Sequence, residues 1–211
     1  MKKVLLLFPA VLLASTAHAQ TNVLKVDIIQ PLINTIALSF EHKLSESSSF
    51  QLSVAGTFGY ENSGNFGFYN SSGGYYSGQA STSGFSITPE YRFYLSEKHA
   101  APEGFYVAPY VRFQNLSTTI DYNSGISYPN PTRSQSYEAN LNAFGLGVVV
   151  GKHWIFKKQF SIDLFVGPGY TFTDTSSNQQ DYKPNKRNFV GQLGTDNNYD
   201  FRSGASFGIA F

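Results

Sequence analysis

The residues best suited to chemistry are charged side chains spaced two apart within otherwise apolar stretches: Lys25 and Asp27, Glu41 and Lys43, Glu90 and Arg92. Arg112, Asp163 and Arg202 stand alone in similar surroundings. Both signs are present, so the set suits either an ion path or a mutually neutralising salt-bridge network. His42, His99 and His153 could serve as general bases, but each sits at the end of a different segment, with no HxH or HExxH spacing. Asp163 and Ser161 are merely alternate residues of one strand face. Asp121, Asp181, Asp196 and Asp200 lack the spacing of a calcium loop. No Cys occurs, which removes disulfides, thiolate metal sites and a Cys nucleophile. The expectation is therefore no enzyme, no metal and no cofactor.

The elements that must position these charges are strands. Between residues 84 and 95, Phe85, Ile87, Pro89, Tyr91, Phe93 and Leu95 alternate with Ser86, Thr88, Glu90, Arg92 and Tyr94. A period of two puts one set on each face of a strand. Phe105, Val107, Pro109, Val111 and Phe113 repeat the pattern, as do Phe160, Ile162, Leu164, Val166, Pro168, Tyr170 and Phe172. Phe201, Ala205, Phe207, Ile209 and Phe211 share a face in the last segment, and fainter copies begin near Leu24, Ile36, Phe50 and Phe144. Lys152 breaks the apolar face of its segment near the strand end, where a lysine can snorkel.

Alternation alone also suits a soluble sandwich. Three features favour a membrane barrel. Charges fall mid-strand on the polar face, where a lumen lets them pair. The apolar faces carry aromatics at two levels, 8 to 10 residues apart, which at ~3.3 Å per residue and a tilt near 40° is roughly 20 to 25 Å. Connections alternate between short (near residues 45–48, 96–103 and 157–159) and long and polar (near 62–83, 117–137 and 174–198), as between a periplasmic and an outer side. The first outer connection, near residues 31–34, is short.

Composition agrees. The chain has 211 residues and a net charge of +1, too little positive charge for nucleic acid. Only 14% of residues are charged, against about 25% in soluble domains. The 19 Phe, 14 Tyr and 19 Gly suit aromatic strands and tight turns. Residues 1–19 read as a secretory signal: Lys2 and Lys3, an apolar stretch over residues 4–14, then Ala17-His18-Ala19 before cleavage. That stretch is well short of the ~20 residues of a spanning helix. Residues 20–211 form the barrel domain.

Several segments resemble a known group: Ile87-Thr88-Pro89-Glu90-Tyr91-Arg92-Phe93-Tyr94, Gly104-Phe105-Tyr106-Val107-Ala108-Pro109-Tyr110, and Trp154-Ile155-Phe156-Lys157-Lys158 running into Ser161-Ile162-Asp163-Leu164. The chain resembles small outer-membrane β-barrel families of the Bacteroidota, some known only as domains of unknown function, and more distantly the eight-stranded OmpA, OmpX and OmpW type barrels. Phe211 resembles the aromatic end of a barrel-assembly signal, although Ser206, between Gly204 and Gly208, stands where that signal has its glycine. The resemblance implies an architecture and supplies no catalytic residues.

The expected fold is an all-β, closed antiparallel up-and-down transmembrane barrel of about eight strands, a monomer in the outer membrane. Lys25, Asp27, Glu41, Lys43, Glu90, Arg92, Arg112, Asp163 and Arg202 point inward, as a structural charge network rather than an ion path, because so few strands enclose little space. Phe68, Tyr69, Tyr75, Tyr76 and Tyr182, set among Gly, Ser and Asn, are candidate outer-loop contacts for an extracellular or envelope protein or glycan. Lys183, Lys186 and Arg187 suit lipopolysaccharide phosphates. The remaining partners are outer-membrane lipid and, during biogenesis, the barrel-assembly machinery. A narrow passage for small hydrophobic molecules and a lipid-modifying enzyme are the alternatives.

Overall fold

The structure is a computed structural model that describes residues 21–62, 68–69, 75–96, 99–125, 133–177 and 198–211. The secretory signal lies outside these residues. The strands are β1 (Asn22–Asp27), β2 (Thr35–Ser45), β3 (Ser48–Asn62), β4 (Phe68–Tyr69), β5 (Tyr75–Tyr94), β6 (Gly104–Gly125), β7 (Arg133–Phe156), β8 (Phe160–Ser177) and β9 (Tyr199–Ala210). All but β4 build the wall. Each pairs antiparallel with its neighbours in the order β3-β2-β1-β9-β8-β7-β6-β5, and β3 pairs β5 to close the ring. The result is an eight-stranded up-and-down barrel. The two-residue β4 pairs only with the far end of β5.

The ends of the described barrel are tied at the seam, where the Asn22 N–H donates to the Phe211 carbonyl at 3.0 Å and the Phe211 N–H returns the bond at 2.9 Å. Closure leaves no wall strand with a free edge along its inner half, which matters for a sheet in lipid.

Alternation places the side chains as the pattern requires. Leu38, Phe40, Leu52, Phe93, Phe105, Leu146, Leu164 and Phe207 face outward and are exposed, while their neighbours on the other face are buried or half-buried. The long connections differ from the expectation. β5 starts at Tyr75, β6 runs to Gly125 and β7 starts at Arg133, so much of the segments near residues 62–83 and 117–137 is strand. Between β1 and β2 the chain makes one short 3-10 helix, Gln30–Ile33, with Asn34 left-handed at its end (φ 50°).

Glycines on β7, β8 and β9 let large rings from adjacent strands lie across the inner wall. A Cβ at Gly151 would run into the Tyr106 ring, one at Gly147 would sit 2.7 Å from the Tyr110 hydroxyl, and one at Gly204 would run into the Phe165 ring. The interior of so narrow a barrel is thus filled by aromatics from one strand laid over glycines of the next.

Candidate functional site

The inward face near the short-turn end gathers the charged residues into one network. Arg92 of β5 is at its centre. Its Nη1 donates to Asp163 Oδ2 at 2.6 Å and to Glu41 Oε2 at 3.2 Å, and its Nη2 donates to Glu90 Oε2 at 3.2 Å. The guanidinium also lies 4.3 Å from the centre of the Tyr106 ring, a cation–π contact. Lys25 Nζ donates to Asp163 Oδ2 at 2.8 Å, to Gln51 Oε1 at 3.0 Å and to Glu41. Arg202 reaches Glu90 Oε1 at 2.6 Å from between the Tyr110 and Phe165 rings.

Neutral donors complete the carboxylates. Tyr106 Oη donates to Asp163 Oδ1 at 2.8 Å, and Tyr94 Oη and Ser49 Oγ both donate to Glu41 Oε1 at 2.5 Å. His153 Nδ1 lies 3.4 Å from Tyr94 Oη and 3.6 Å from Glu41 Oε2. Every strand of the wall supplies at least one member. Three carboxylates (Glu41, Glu90, Asp163) face three cations (Lys25, Arg92, Arg202), so the set balances with His153 neutral. Arg92, Glu41 and His153 are 0% exposed, and Lys25, Glu90 and Asp163 are 1% exposed.

Towards the long-strand end the interior changes character. Thr35 meets Thr57 and Thr82 meets Thr118, each pair with hydroxyls 2.8 Å apart. Leu116, Ala139, Leu141 and Ala143 pack as a buried apolar cluster.

With this geometry in view, the comparisons with known proteins are informative about kinship. A family model described as "Protein of unknown function (DUF3575)" matches residues 4–201. The chain belongs to this family. It is a small eight-stranded β-barrel of a family described as of unknown function. No curated protein matches the DUF3575 chain. Among solved structures it is similar to the crystal structure of Acinetobacter baumannii CarO, with 10% identity, a TM-score of 0.47, and coverage of 92% of this chain and 97% of that one.

The DUF3575 barrel brings together Lys25, Glu41, Glu90, Arg92, Asp163 and Arg202 from the sequence-derived set. Arg112 forms a separate pair, its Nη2 3.3 Å from Asp200 Oδ2. Asp27 joins neither. Its Oδ1 accepts the N–H groups of Ile29 and Gln30 at 2.8 and 2.9 Å and shapes the turn after β1. Lys43, also expected inward, pairs with Glu46 at 2.7 Å beside the β2–β3 turn. Phe211 closes the seam through its backbone. Phe68, Tyr69, Tyr75 and Tyr76 are strand residues, with Phe68 opposite Tyr76 and Tyr69 opposite Tyr75. Their side chains, and Tyr182, Lys183, Lys186 and Arg187 altogether, lie outside the described residues.

Sequence reasoning missed Ser49, Gln51, Tyr94, Tyr106 and His153 as members of the network. The signal was available: each is on the inward parity of its strand, one residue from an apolar outward neighbour. All three histidines lie near the short-turn end; His42 and His99 are exposed, whereas His153 points inside and is a buried member of the network, within reach of a hydroxyl. No group of three or more His, Asp or Glu suited to a metal ion occurs among the described residues.

Proposed function

We propose that this protein is an integral outer-membrane barrel that performs no catalysis and conducts no ions, and that it serves to raise its long-strand end above the membrane for contact with a protein or glycan partner. The observation that carries this reading is the interior. A ring of paired charges and tyrosines, at most 5% exposed except for Arg202 at 12%, fills the cross-section where a channel would run. His153, Tyr94 and Glu41 have the residue types of acid–base chemistry, but no substrate reaches side chains buried that completely.

The outer-membrane setting is supported by the outward face. Large apolar side chains around the whole circumference, such as Phe40 at 44%, Phe93 at 49%, Phe105 at 59% and Phe156 at 48% exposure, form a band that water does not tolerate on a soluble protein. In this reading residues 1–19 are removed on export, the barrel-assembly machinery inserts a monomer, and lipopolysaccharide surrounds its outer half.

Two measurements test it. Unboiled and boiled samples from an outer-membrane fraction should migrate differently, because a barrel without free edges resists SDS until heated. The folded protein in a planar bilayer should give no discrete current steps. Steps would overturn the closed interior and favour a narrow passage instead. A photo-crosslinker at Tyr76 should yield adducts on intact cells, and an absence of adducts from every outer position would overturn the contact role.

A further inference from the structure

Among the described residues, the outward wall carries one charge within its apolar band, Lys152. Lys152 stands opposite Phe105 on β6 and Leu164 on β8, both outward and exposed. Its Nζ lies 4.4 Å from the Phe105 ring centre and 4.9 Å from that of Trp154, the next outward residue towards the β7–β8 turn. The ammonium therefore leans towards the membrane rim between two aromatic faces. A cavity of about 1020 Å³ is lined by Lys152, by the β5–β6 connection and by residues of both faces of this wall, the inward Tyr106 and His153 included. Glu103 borders that cavity, and its carboxylate lies 3.6 Å from His99 Nδ1.

The neighbouring turn reinforces the charge. Lys157 and Lys158 occupy its centre with φ of 50° and 58°. Left-handed backbone at two successive turn positions is where Asn and Gly are favoured, because other side chains crowd the carbonyl there. This sequence keeps lysines at both. No Asp or Glu occurs between residues 139 and 162. One corner of the barrel thus collects three lysines and the rings of Phe105, Trp154, Phe156 and Phe160, while the other short turns mix acids with bases.

We infer that the β7–β8 corner is a binding site for one anionic phospholipid of the leaflet at the short-turn side, with the headgroup phosphate held by Lys152 between Phe105 and Trp154 and further negative charge facing Lys157. Aromatic rings at this depth suit the boundary between acyl chain and headgroup, and a lysine there is worth about a fivefold preference for an anionic over a zwitterionic lipid. The inference rests on the membrane setting proposed above.

Trp154 is the only tryptophan of the chain, so its fluorescence reports on this site alone. The full barrel is reconstituted in phosphatidylcholine vesicles containing a minor fraction of phosphatidylglycerol, with either lipid dibrominated on its acyl chains as the quencher. The expected result is about fivefold enrichment of the brominated phosphatidylglycerol at Trp154 over its bulk fraction, falling towards unity in Lys152→Gln and kept in Lys152→Arg. Equal quenching by the two lipids, or enrichment unchanged in Lys152→Gln, overturns the site while the heat-dependent mobility shift shows the barrel still folded in lipid. Loss of that shift, with no quenching by either lipid, would instead mean that the outward face does not meet lipid, and would remove the site with it.

Discussion

Asp163 is the residue on which the interior depends most, because Lys25, Arg92 and Tyr106 all donate to it within 2.8 Å. Replacing it by Asn preserves volume and removes one negative charge, leaving Lys25 and Arg92, at most 1% exposed, short of a counter-charge. Breaking a buried pair in this way costs about 3–5 kcal/mol. Asp163→Asn should lower the unfolding free energy of the barrel by that amount in a urea titration, seen as a lower midpoint at unchanged slope. Arg112→Gln removes a less buried, single pair with Asp200 and should cost about 1 kcal/mol or less. Equal effects would mean that the network is no more than a set of separate surface-like pairs. Inward parity for these charges was readable from two-residue alternation. Their pairing was not: Lys25 and Asp163 are 138 residues apart, and which inward residues share a level depends on the stagger between strands, which the sequence does not print. Asp27 shows the complementary limit, since it has inward parity but stands where the strand ends and a turn claims its carboxylate.

At the scale of elements, the strands legible in the sequence are those inside the apolar band, where one face must be apolar and the other polar. The extensions of β5, β6 and β7 beyond that band were read as loops for a physical reason: strand that projects into water has no need of an apolar outward face. The residues from 117 to 124 are accordingly Ser, Thr, Asp, Tyr and Asn, with Ile120 the one aliphatic side chain and little alternation. Gly167 marks a point where the wall tolerates no side chain. A Cβ there would meet the backbone of β7, 2.6 Å from Val149 Cα, beside Pro168, which offers no N–H to the ladder. Pairing of β7 with β8 is interrupted at this point, between Gly147–Gly169 and Val150–Val166. Gly167→Ala should therefore destabilise the barrel by about 1–3 kcal/mol, since backbone must move to admit the methyl. Gly145→Ala, whose added Cβ would approach Thr171 Oγ1 at 3.2 Å and both Arg112 Cβ and the Tyr170 carbonyl at an ordinary 3.7 Å, should be close to neutral. The fraction of protein that keeps its heat-dependent mobility shift as urea rises checks both, and similar losses would refute the close-approach account.

For the whole molecule, the wall is far taller than lipid requires. β7 has 24 residues, roughly 60 Å at ~3.3 Å per residue and a tilt near 40°, whereas the apolar band of such barrels is about 25 Å. Its outward aromatics run from Phe144 to Phe156, so the excess lies wholly before Phe144, on the side of the long connections. The buried network lies at the opposite end, beside the short turns. That polarity makes a prediction about orientation: the tall end projects outside the cell and the ion-filled end faces the periplasm. The absence of cysteine makes it direct to check. Asp121→Cys is on the exposed part of β6 beyond the band, and Gln159→Cys is in the exposed β7–β8 turn. A membrane-impermeant maleimide should label Asp121→Cys on intact cells, and should label Gln159→Cys only after the outer membrane is permeabilised. The reverse pattern would turn the barrel over. It would place the basic β7–β8 corner among lipopolysaccharide rather than phospholipid, and leave the tall wall in the periplasm, where its partner would have to be an envelope protein and not a surface.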